Sequence, residues 1–250
     1  MPDRPVALIT GGARRVGAAT ARALAARGCD IRVTYRRSAR DAERLAGELR
    51  VLGAGVRLDH LDLSDRASVD AYAARLAEEV PRIDVLVHNA SVYEPSPLDT
   101  LTPDGAVEQW WVNAGAPLVL TGGLAPLLGR SVLPGGGAVV CLGDIHAMGR
   151  PRQEFAAYLM SKAGVIEMVR ALARDLAPRV RVVGIAPGVV VWPEQGYESD
   201  RESQQAYVTR VPLARAGTPE DAAEAIAWLA LRAEYITGEV VAVDGGRRLA

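Results

Sequence analysis

Lysine is almost missing from this 250-residue chain. Of its 29 basic residues, 28 are arginine, and the single lysine is Lys162. Arginine presents a planar fork of donors, whereas lysine presents a compact point charge. A position that keeps lysine against such a bias is expected to need that compactness. Lys162 follows Tyr158 by four residues, and on a helix the two side chains share one face.

Other shortages exclude whole classes of function. The formal net charge is −1, so nothing in the charge favours binding to nucleic acid or to an anionic membrane. The two cysteines, Cys29 and Cys141, lie in or beside apolar runs and lack metal-ligand spacing, which predicts reduced thiols, a cytoplasmic location and no metal site. No uninterrupted apolar run reaches membrane-spanning length. A strand begins at Val6, so we expect no signal peptide.

Short apolar runs alternate with longer amphipathic segments along the chain. The runs predicted as strands cover residues 6–10, 30–35, 56–61, 83–88, 138–142, 180–186 and 239–243. The segments predicted as helices cover residues 15–27, 39–52, 65–79, 104–128, 154–177 and 218–232, with Asp65, Thr102 and Thr218 as N-caps. Uniformly apolar strands that alternate with helices indicate a parallel sheet covered on both faces. Residues 1–250 are therefore predicted to form one α/β domain, a Rossmann-type doubly wound parallel sheet of about seven strands.

One segment interrupts this alternation. About thirty residues, from Gly188 to Gly217, separate a strand from the last helix, and the polar stretch 198–210 within them predicts a short exposed helix. A loop of this length is usually either functional or disordered. Because ligands bind beyond the carboxyl ends of strands in such sheets, we expect a substrate lid over about residues 189–216.

The turn after the first strand is rich in glycine. It reads Thr-Gly-Gly-Ala-Arg-Arg-Val-Gly over residues 10–17 and leads directly into a predicted helix. Glycines permit close backbone approach, and the N–H groups at a helix N-terminus bind phosphate. Gly11, Val16 and Gly17 are therefore predicted to cradle a pyrophosphate, with Arg14 and Arg15 adding positive charge.

The end of the second strand distinguishes between two cofactors. Sites that prefer NADH usually carry a carboxylate here, which binds the ribose hydroxyls. This chain has Arg36, Arg37 and Ser38 instead, and guanidinium groups bind phosphate well. The sequence therefore favours NADPH, although a solvated basic loop is the alternative interpretation. At the end of the third strand, Asp62 and Leu63 are predicted to hold the adenine amine.

Several motifs, taken in order, resemble those of the short-chain dehydrogenase/reductase family across nearly the whole chain. They are Thr10-Gly11…Gly17, Asn89-Ala90, Asn113, Tyr158-x-x-x-Lys162, Pro187-Gly188 and Val243-Asp-Gly-Gly246. The resemblance implies that Asn89, Ala90, Ser91, Tyr158, Lys162, Pro187 and Gly188 join the residues above in binding NADPH. It also implies a homotetramer and a small-molecule substrate.

The resemblance, together with the residues' chemistry, assigns roles at the reacting end. A nearby ammonium favours a tyrosinate, so Lys162 is predicted to lower the pKa of Tyr158 and to bind the nicotinamide ribose. Asn113 matches the asparagine that supports a water-linked proton relay in the family. The alternative is that Asn113 ties a helix to the backbone, and the sequence does not decide between the two.

The family's catalytic serine is missing from this chain. Ile145 occupies its spacing, with Asp144 and His146 on either side. Asp144 is the preferred replacement, and His146 is the alternative. This departure, together with Arg15, Ser91 and Tyr93, resembles the pteridine reductase branch, in which these three residues would contact a pterin. Trp192 is predicted either to wall the same pocket or to pack within the lid.

Three functions follow as hypotheses. The first is an NADPH-dependent enzyme that reduces a pterin or a similar flat heterocycle, with Asp144 and Tyr158 delivering the proton. The second is a general NADPH-dependent reductase of carbonyl compounds such as 3-oxoacyl thioesters. The third is an NADPH-binding sensor without catalysis, which the pair Tyr158 and Lys162 disfavours.

Overall fold

The computed structural model describes residues 4–193 and 199–250, and within them the chain forms one seven-stranded parallel sheet with helices on both faces. The strands are β1 (Val6–Ile9), β2 (Asp30–Tyr35), β3 (Val56–His60), β4 (Val85–His88), β5 (Gly137–Leu142), β6 (Val180–Pro187) and β7 (Val240–Val243). The helices are α1 (Arg15–Ala26), α2 (Ala39–Val51), α3 (Arg66–Glu79), α4 (Pro103–Trp110), α5 (Ala116–Leu128), α6 (Ala156–Leu176), α7 (Arg201–Val208) and α8 (Pro219–Leu231). The predicted doubly wound fold is confirmed.

The strand order places the functional crevice. The order is β3-β2-β1-β4-β5-β6-β7. Strands β2 and β3 are added on one side of β1 and strands β4 to β7 on the other, so the order of addition reverses between β1 and β4. Ligands of open α/β sheets bind beyond the carboxyl ends of the strands at such a switch point. Helices α1, α2 and α8 pack on one face of the sheet and α3, α5 and α6 on the other, which explains why the central strands are apolar on both sides.

The predicted N-caps are present. The side chains of Asp65 and Thr102 accept hydrogen bonds from the first-turn N–H groups of Ala67 and Gly105. Thr218 forms a reciprocal capping box with Asp221 at the start of α8. The N-cap residues predicted the first residues of these helices because each N-cap side chain accepts from backbone N–H groups that have no partner inside the helix.

The long helix predicted over residues 104–128 is not uniform. A π-helical turn, Trp111–Gly115, joins α4 to α5 and carries Asn113. A Cβ atom at Gly115 would lie 2.7 Å from the Trp111 ring, so glycine permits this turn. The helical stretch Pro103–Leu128 is long and apolar enough to cross a membrane by length and composition alone, but 61% of its most apolar window is buried, as in a core helix.

The predicted lid is partly described. Helix α7 lies inside the polar stretch that predicted a short helix, and Asp200 caps it by accepting from Ser203 N. Residues 194–198 of the predicted lid lie outside the described residues. The lid leaves the sheet at Gly188, whose N–H donates to Val243 O of β7 at 3.0 Å.

Candidate active site

A cavity of about 700 Å³ runs along the carboxyl ends of the strands, from the β2 end to Tyr158. Most of the predicted site residues line it. They are Gly11, Arg14, Arg15, Val16, Arg36, Arg37, Ser38, Asp62, Leu63, Asn89, Ala90, Ser91, Tyr93, Asp144, Tyr158, Pro187 and Gly188. Four other predicted residues, Gly17, Asn113, Lys162 and Trp192, lie behind or beside this lining. Within the described part of the chain, no group of three or more His, Cys, Asp or Glu residues is placed to hold a metal ion.

The glycine turn is held tightly against the end of β4. Asn89 donates from Nδ2 to the carbonyl oxygens of Thr10 and Gly11, both at 3.0 Å. Gly17 packs against both Asn89 and the turn, since a Cβ at Gly17 would lie 2.7 Å from Asn89 Nδ2 and 2.7 Å from the Gly12 Cα. Gly11 adopts φ +59°, and its Cβ would lie 2.9 Å from the Ala90 side chain. The turn is therefore a cradle that side chains would fill, and it fits the pyrophosphate of a dinucleotide.

Arg15 adds an unusual feature to this turn. It adopts φ +51°, in the region that usually favours glycine, and it begins α1. The backbone here has a conformation that glycine adopts readily, while the side chain adds a cation to the cavity wall. Thr34 supports the same turn, because its Oγ1 accepts from Gly11 N at 3.2 Å. Thr34 was not among the residues predicted from the sequence, although a hydroxyl-bearing residue near the end of a predicted strand was a signal.

The basic end of the cavity is partly neutralised by the protein itself. Arg36 Nε lies 3.3 Å from Asp62 Oδ2, and Arg14 Nε lies 3.5 Å from Asp41 Oδ2. The other oxygen of Asp62 accepts from both the N–H and the hydroxyl of Ser64. Asp62 therefore orients Arg36 at the cavity wall, and its predicted role with the adenine amine stays a prediction.

The reacting end of the cavity contains a carboxylate and a phenol in direct contact. Tyr158 Oη donates to Asp144 Oδ2 at 2.8 Å. Asp144 is held in turn because its Oδ1 accepts from His146 N at 2.7 Å, at the start of a 3₁₀ turn over Ile145–Met148. Ile145 is fully buried, and the His146 ring donates from Nδ1 to Arg150 O at 2.8 Å. Asp144, rather than His146, thus meets Tyr158.

The predicted lowering of the Tyr158 pKa is wrong. Burial, followed by the charge of Asp144 and the hydrogen bond to it, raises the pKa of Tyr158 well above its ordinary value of 10. A carboxylate in hydrogen-bond contact opposes a second negative charge on the phenol oxygen. Tyr158 is therefore held as a protonated phenol, which is the form that donates a proton.

Lys162 is buried behind this pair. It is 4% exposed, and Nζ donates to Leu142 O at the end of β5 at 2.8 Å. Nζ lies 5.8 Å from the centre of the Tyr158 ring. Burial lowers the pKa of Lys162 from 10.5 to about 8. A compact ammonium fits this space, whereas its predicted contact with the cofactor ribose stays a prediction.

Both polar atoms of the Asn113 side chain form hydrogen bonds with other protein groups. Oδ1 accepts from Val92 N at 2.8 Å and from Ser91 Oγ at 3.0 Å. Nδ2 donates to Val92 O and to Ser161 Oγ, both at 2.9 Å. These bonds match the alternative interpretation, in which Asn113 ties a helix to the backbone and fixes the loop that carries Ser91. The catalytic relay role stays a prediction.

Two aromatic rings, those of Tyr93 and Phe155, lie beside Tyr158. Tyr93 stacks on Phe155, with ring centres 4.7 Å apart, and meets Tyr158 edge to face at 4.8 Å. Arg152 places its guanidinium 4.7 Å from the Phe155 ring. Because Phe155 covers one face of Tyr93, a bound heterocycle would have to use the other face. Phe155 is the chain's only phenylalanine, a signal that the sequence reasoning did not use.

Trp192 packs against the lid helix α7 and is not among the described residues that line the cavity. Its ring packs edge to face on Tyr207 of α7, with ring centres 5.5 Å apart, whereas its neighbours Val191 and Pro193 line the cavity. The Tyr207 contact matches the alternative interpretation, in which Trp192 packs within the lid, and the predicted substrate contact of Trp192 stays a prediction. Tyr207 was missed at the sequence level because it lies in an otherwise polar helix.

The chain is similar to a family model, to curated relatives and to solved structures. A family model described as Enoyl-(Acyl carrier protein) reductase matches residues 11–248. A 3-oxoacyl-[acyl-carrier-protein] reductase of Synechocystis sp. is 34% identical over 249 residues, covering 96% of each chain. The 3beta-hydroxysteroid dehydrogenase 1 of Eggerthella lenta is 31% identical over 250 residues, covering 97% of this chain and 93% of the relative.

A solved structure is also similar over nearly the whole chain. It is the blue fluorescent protein from a metagenomic library in complex with NADPH, with a TM-score of 0.86 and 32% identity. The match covers 97% of each chain. The sequence relatives and the structure thus match the same single domain from end to end.

Proposed function

Because the chain belongs to the short-chain dehydrogenase/reductase family and is an oxidoreductase, we propose that it reduces the ketone of a 3-oxoacyl compound with NADPH. The observation that carries the proposal is the Tyr158–Asp144 hydrogen bond of 2.8 Å at the end of the cavity, with Lys162 buried behind it. This arrangement presents a protonated phenol where a carbonyl oxygen would need a proton.

Tyr158, Asp144 and Lys162 have different roles in the proposed reduction. A bound nicotinamide cofactor would supply the hydride to the carbonyl carbon. Tyr158 donates its phenolic proton to the carbonyl oxygen as the C=O π bond breaks, so that the product is a secondary alcohol. Asp144 keeps Tyr158 protonated beforehand and is placed to accept a proton from solvent and return it. The ammonium of Lys162 offsets the negative charge that Tyr158 acquires on giving up its proton.

Ketone chemistry is supported by the relatives. The Synechocystis relative is named for a 3-oxoacyl group and the Eggerthella relative for a 3-hydroxysteroid, so both names describe a secondary alcohol or its ketone. The choice of NADPH rests on Arg36, Arg37 and Ser38 in the cavity wall. The similar structure in complex with NADPH supports the same choice.

A pterin or a similar flat heterocycle is the second candidate. Two observations favour it: Asp144 stands in the place of the family's serine, and the Tyr93–Phe155 stack lies beside Tyr158. Reduction of a C=N bond requires protonation of nitrogen, for which a carboxyl and a phenol in contact form a relay.

One assay series separates these functions. NADPH and NADH oxidation is measured with an acetoacetyl thioester, a 3-oxosteroid and a dihydropterin. The proposal expects turnover of the thioester, faster with NADPH, and its loss in Tyr158→Phe. Turnover with the dihydropterin alone would replace it by the second candidate. Tight NADPH binding without turnover of any of the three would favour a sensor.

We also propose that the protein is a cytoplasmic homotetramer. Helices α4, α5 and α6 expose large apolar side chains, namely Val107, Trp110, Leu118 and Met160. Such a patch is typical of an interface. Both cysteines are free and buried, as suits a reducing compartment. Light scattering of the wild type and of Trp110→Glu tests the assembly, and a monomeric wild type would contradict it.

A further inference from the structure

The two ends of the lid meet at one C-terminal turn. This turn, Asp244–Gly246, follows β7 and belongs to the Val-Asp-Gly-Gly motif, for which the proposed chemistry gives no role. Gly188 packs against it at the start of the lid, where a Cβ would lie 3.2 Å from the Asp244 Cα. At the far end of the lid, Leu213 N donates to Gly245 O at 3.1 Å.

The two glycines of the turn allow the lid to approach this closely. Gly245 and Gly246 adopt φ of +62° and +85°, in the left-handed region. A Cβ on Gly245 would lie 2.8 Å from Val211, and one on Gly246 would lie 2.9 Å from Pro212. The motif therefore lets the backbone of residues 211–213 lie directly against this turn, and a side chain at either glycine would displace that segment.

Tyr207 connects the lid helix to the cavity wall. Its side chain is 5% exposed, and its Oη accepts from Val189 N at 3.1 Å. Trp192 packs on its ring, and the guanidinium of Arg247 lies 5.1 Å from the ring centre. Arg247 is itself 5% exposed although it carries a charge. A buried cation on an aromatic face is a contact of appreciable strength.

We propose that Tyr207 and Arg247 form a latch that sets the position of residues 187–191, and thereby the affinity for the nicotinamide cofactor. Both are positioning residues, because Tyr207 holds the backbone of Val189 at the cavity wall and Arg247 acts through the Tyr207 ring. The inference rests on the proposed function in taking NADPH as the ligand. Asp144, Tyr158 and Lys162 are supported by β5 and α6, so the latch is expected to change binding more than the chemical step.

The test is a direct binding titration that needs no substrate. Tyr207→Phe keeps the ring and removes only Oη, which leaves Val189 N–H without this acceptor. We expect the Kd for NADPH, followed by quenching of tryptophan fluorescence, to rise about 3- to 10-fold, the range of one neutral hydrogen bond. Arg247→Met is expected to raise the Kd about 2- to 5-fold. The double variant should show less than the product of the two effects.

A matched control uses the same exchange where nothing is lost. Tyr235 is fully exposed, so Tyr235→Phe should leave the Kd unchanged. Once a substrate is in hand, Tyr207→Phe should raise the KM for NADPH while kcat stays close to that of the wild type. The melting temperature is measured for every variant.

The outcomes separate the latch from the proposed function. An unchanged Kd in Tyr207→Phe overturns the latch. Parallel losses of melting temperature, kcat and affinity also overturn it, because Tyr207 would then only support the fold. A raised Kd with no reduction of any ketone by the wild type supports the latch and contradicts the proposed function. A wild type that binds neither NADPH nor NADH overturns both.

Discussion

Replacing Lys162 by arginine, which keeps the positive charge, is expected to abolish most of the activity. Lys162 is 4% exposed, and its Nζ fits between Leu142 O and the Tyr158 ring. A guanidinium is larger and planar, so overpacking should reduce the free energy of unfolding by about 1–3 kcal/mol. A displacement of Tyr158 by about 1 Å is enough to cost about 10²-fold in rate. We therefore expect kcat/KM to fall by about 10²-fold while the protein stays folded.

The assay compares kcat/KM and urea unfolding for three variants. Lys162→Arg keeps the charge, and Lys162→Met removes the charge while keeping much of the length. Arg170→Lys is the control, because Arg170 lies on the same helix, is exposed, and pairs with Glu167 at 3.0 Å. The control should match the wild type in both measurements. Near-normal turnover by Lys162→Arg would refute the argument that this site needs a compact ammonium.

Three further predictions concern the same site. Asp144→Asn removes the charge that raises the pKa of Tyr158, so the alkaline limb of the kcat/KM profile should move to lower pH; an unmoved limb would show that Asp144 does not control this proton. Burial lowers the pKa of Lys162 to about 8, so between about pH 8 and 10.5 the unfolded chain binds more protons than the folded protein. The free energy of unfolding of the wild type, measured in urea relative to Lys162→Met, should therefore rise across that window by about 3 kcal/mol. A difference between the two proteins that does not change with pH would contradict the burial of a lysine that loses its proton. Gly17→Ala places a Cβ 2.7 Å from the Gly12 Cα, so NADPH titration should show greatly weakened binding with the protein still folded, whereas normal binding would mean that the turn is not the cofactor cradle.

The fold was predictable because its signals are local and repeated. Apolar runs such as Val85–His88 mark strands that are buried on both faces, and the caps at Asp65 and Thr218 mark helix starts without any tertiary information. The π-helical turn at Trp111–Gly115 was not predictable in this way. It depends on how two tryptophan rings pack beside Gly115, and periodicity does not contain that packing.

The site was predictable in its members but not in its electrostatics. Motif spacing named Tyr158 and Lys162, yet the sign of the Tyr158 pKa shift depends on distances. Asp144 is in hydrogen-bond contact at 2.8 Å, whereas the Lys162 ammonium points to Leu142 O. The choice of Asp144 over His146 also depended on a loop containing Gly149 at φ 107° and Glu154 at φ 62°. Spacing alone does not encode such backbone turns.

The most direct test of the account follows the hydride itself. The protein is incubated with an acetoacetyl thioester and NADPH in which both hydrogens at nicotinamide C4 are deuterium, and the product is analysed by mass spectrometry. The account predicts a 3-hydroxyacyl product with deuterium on carbon 3, formed by the wild type and lost in Tyr158→Phe. A product without deuterium, or the same amount of deuterated product from Tyr158→Phe as from the wild type, would contradict the claim that this site reduces a ketone with Tyr158 as its proton donor.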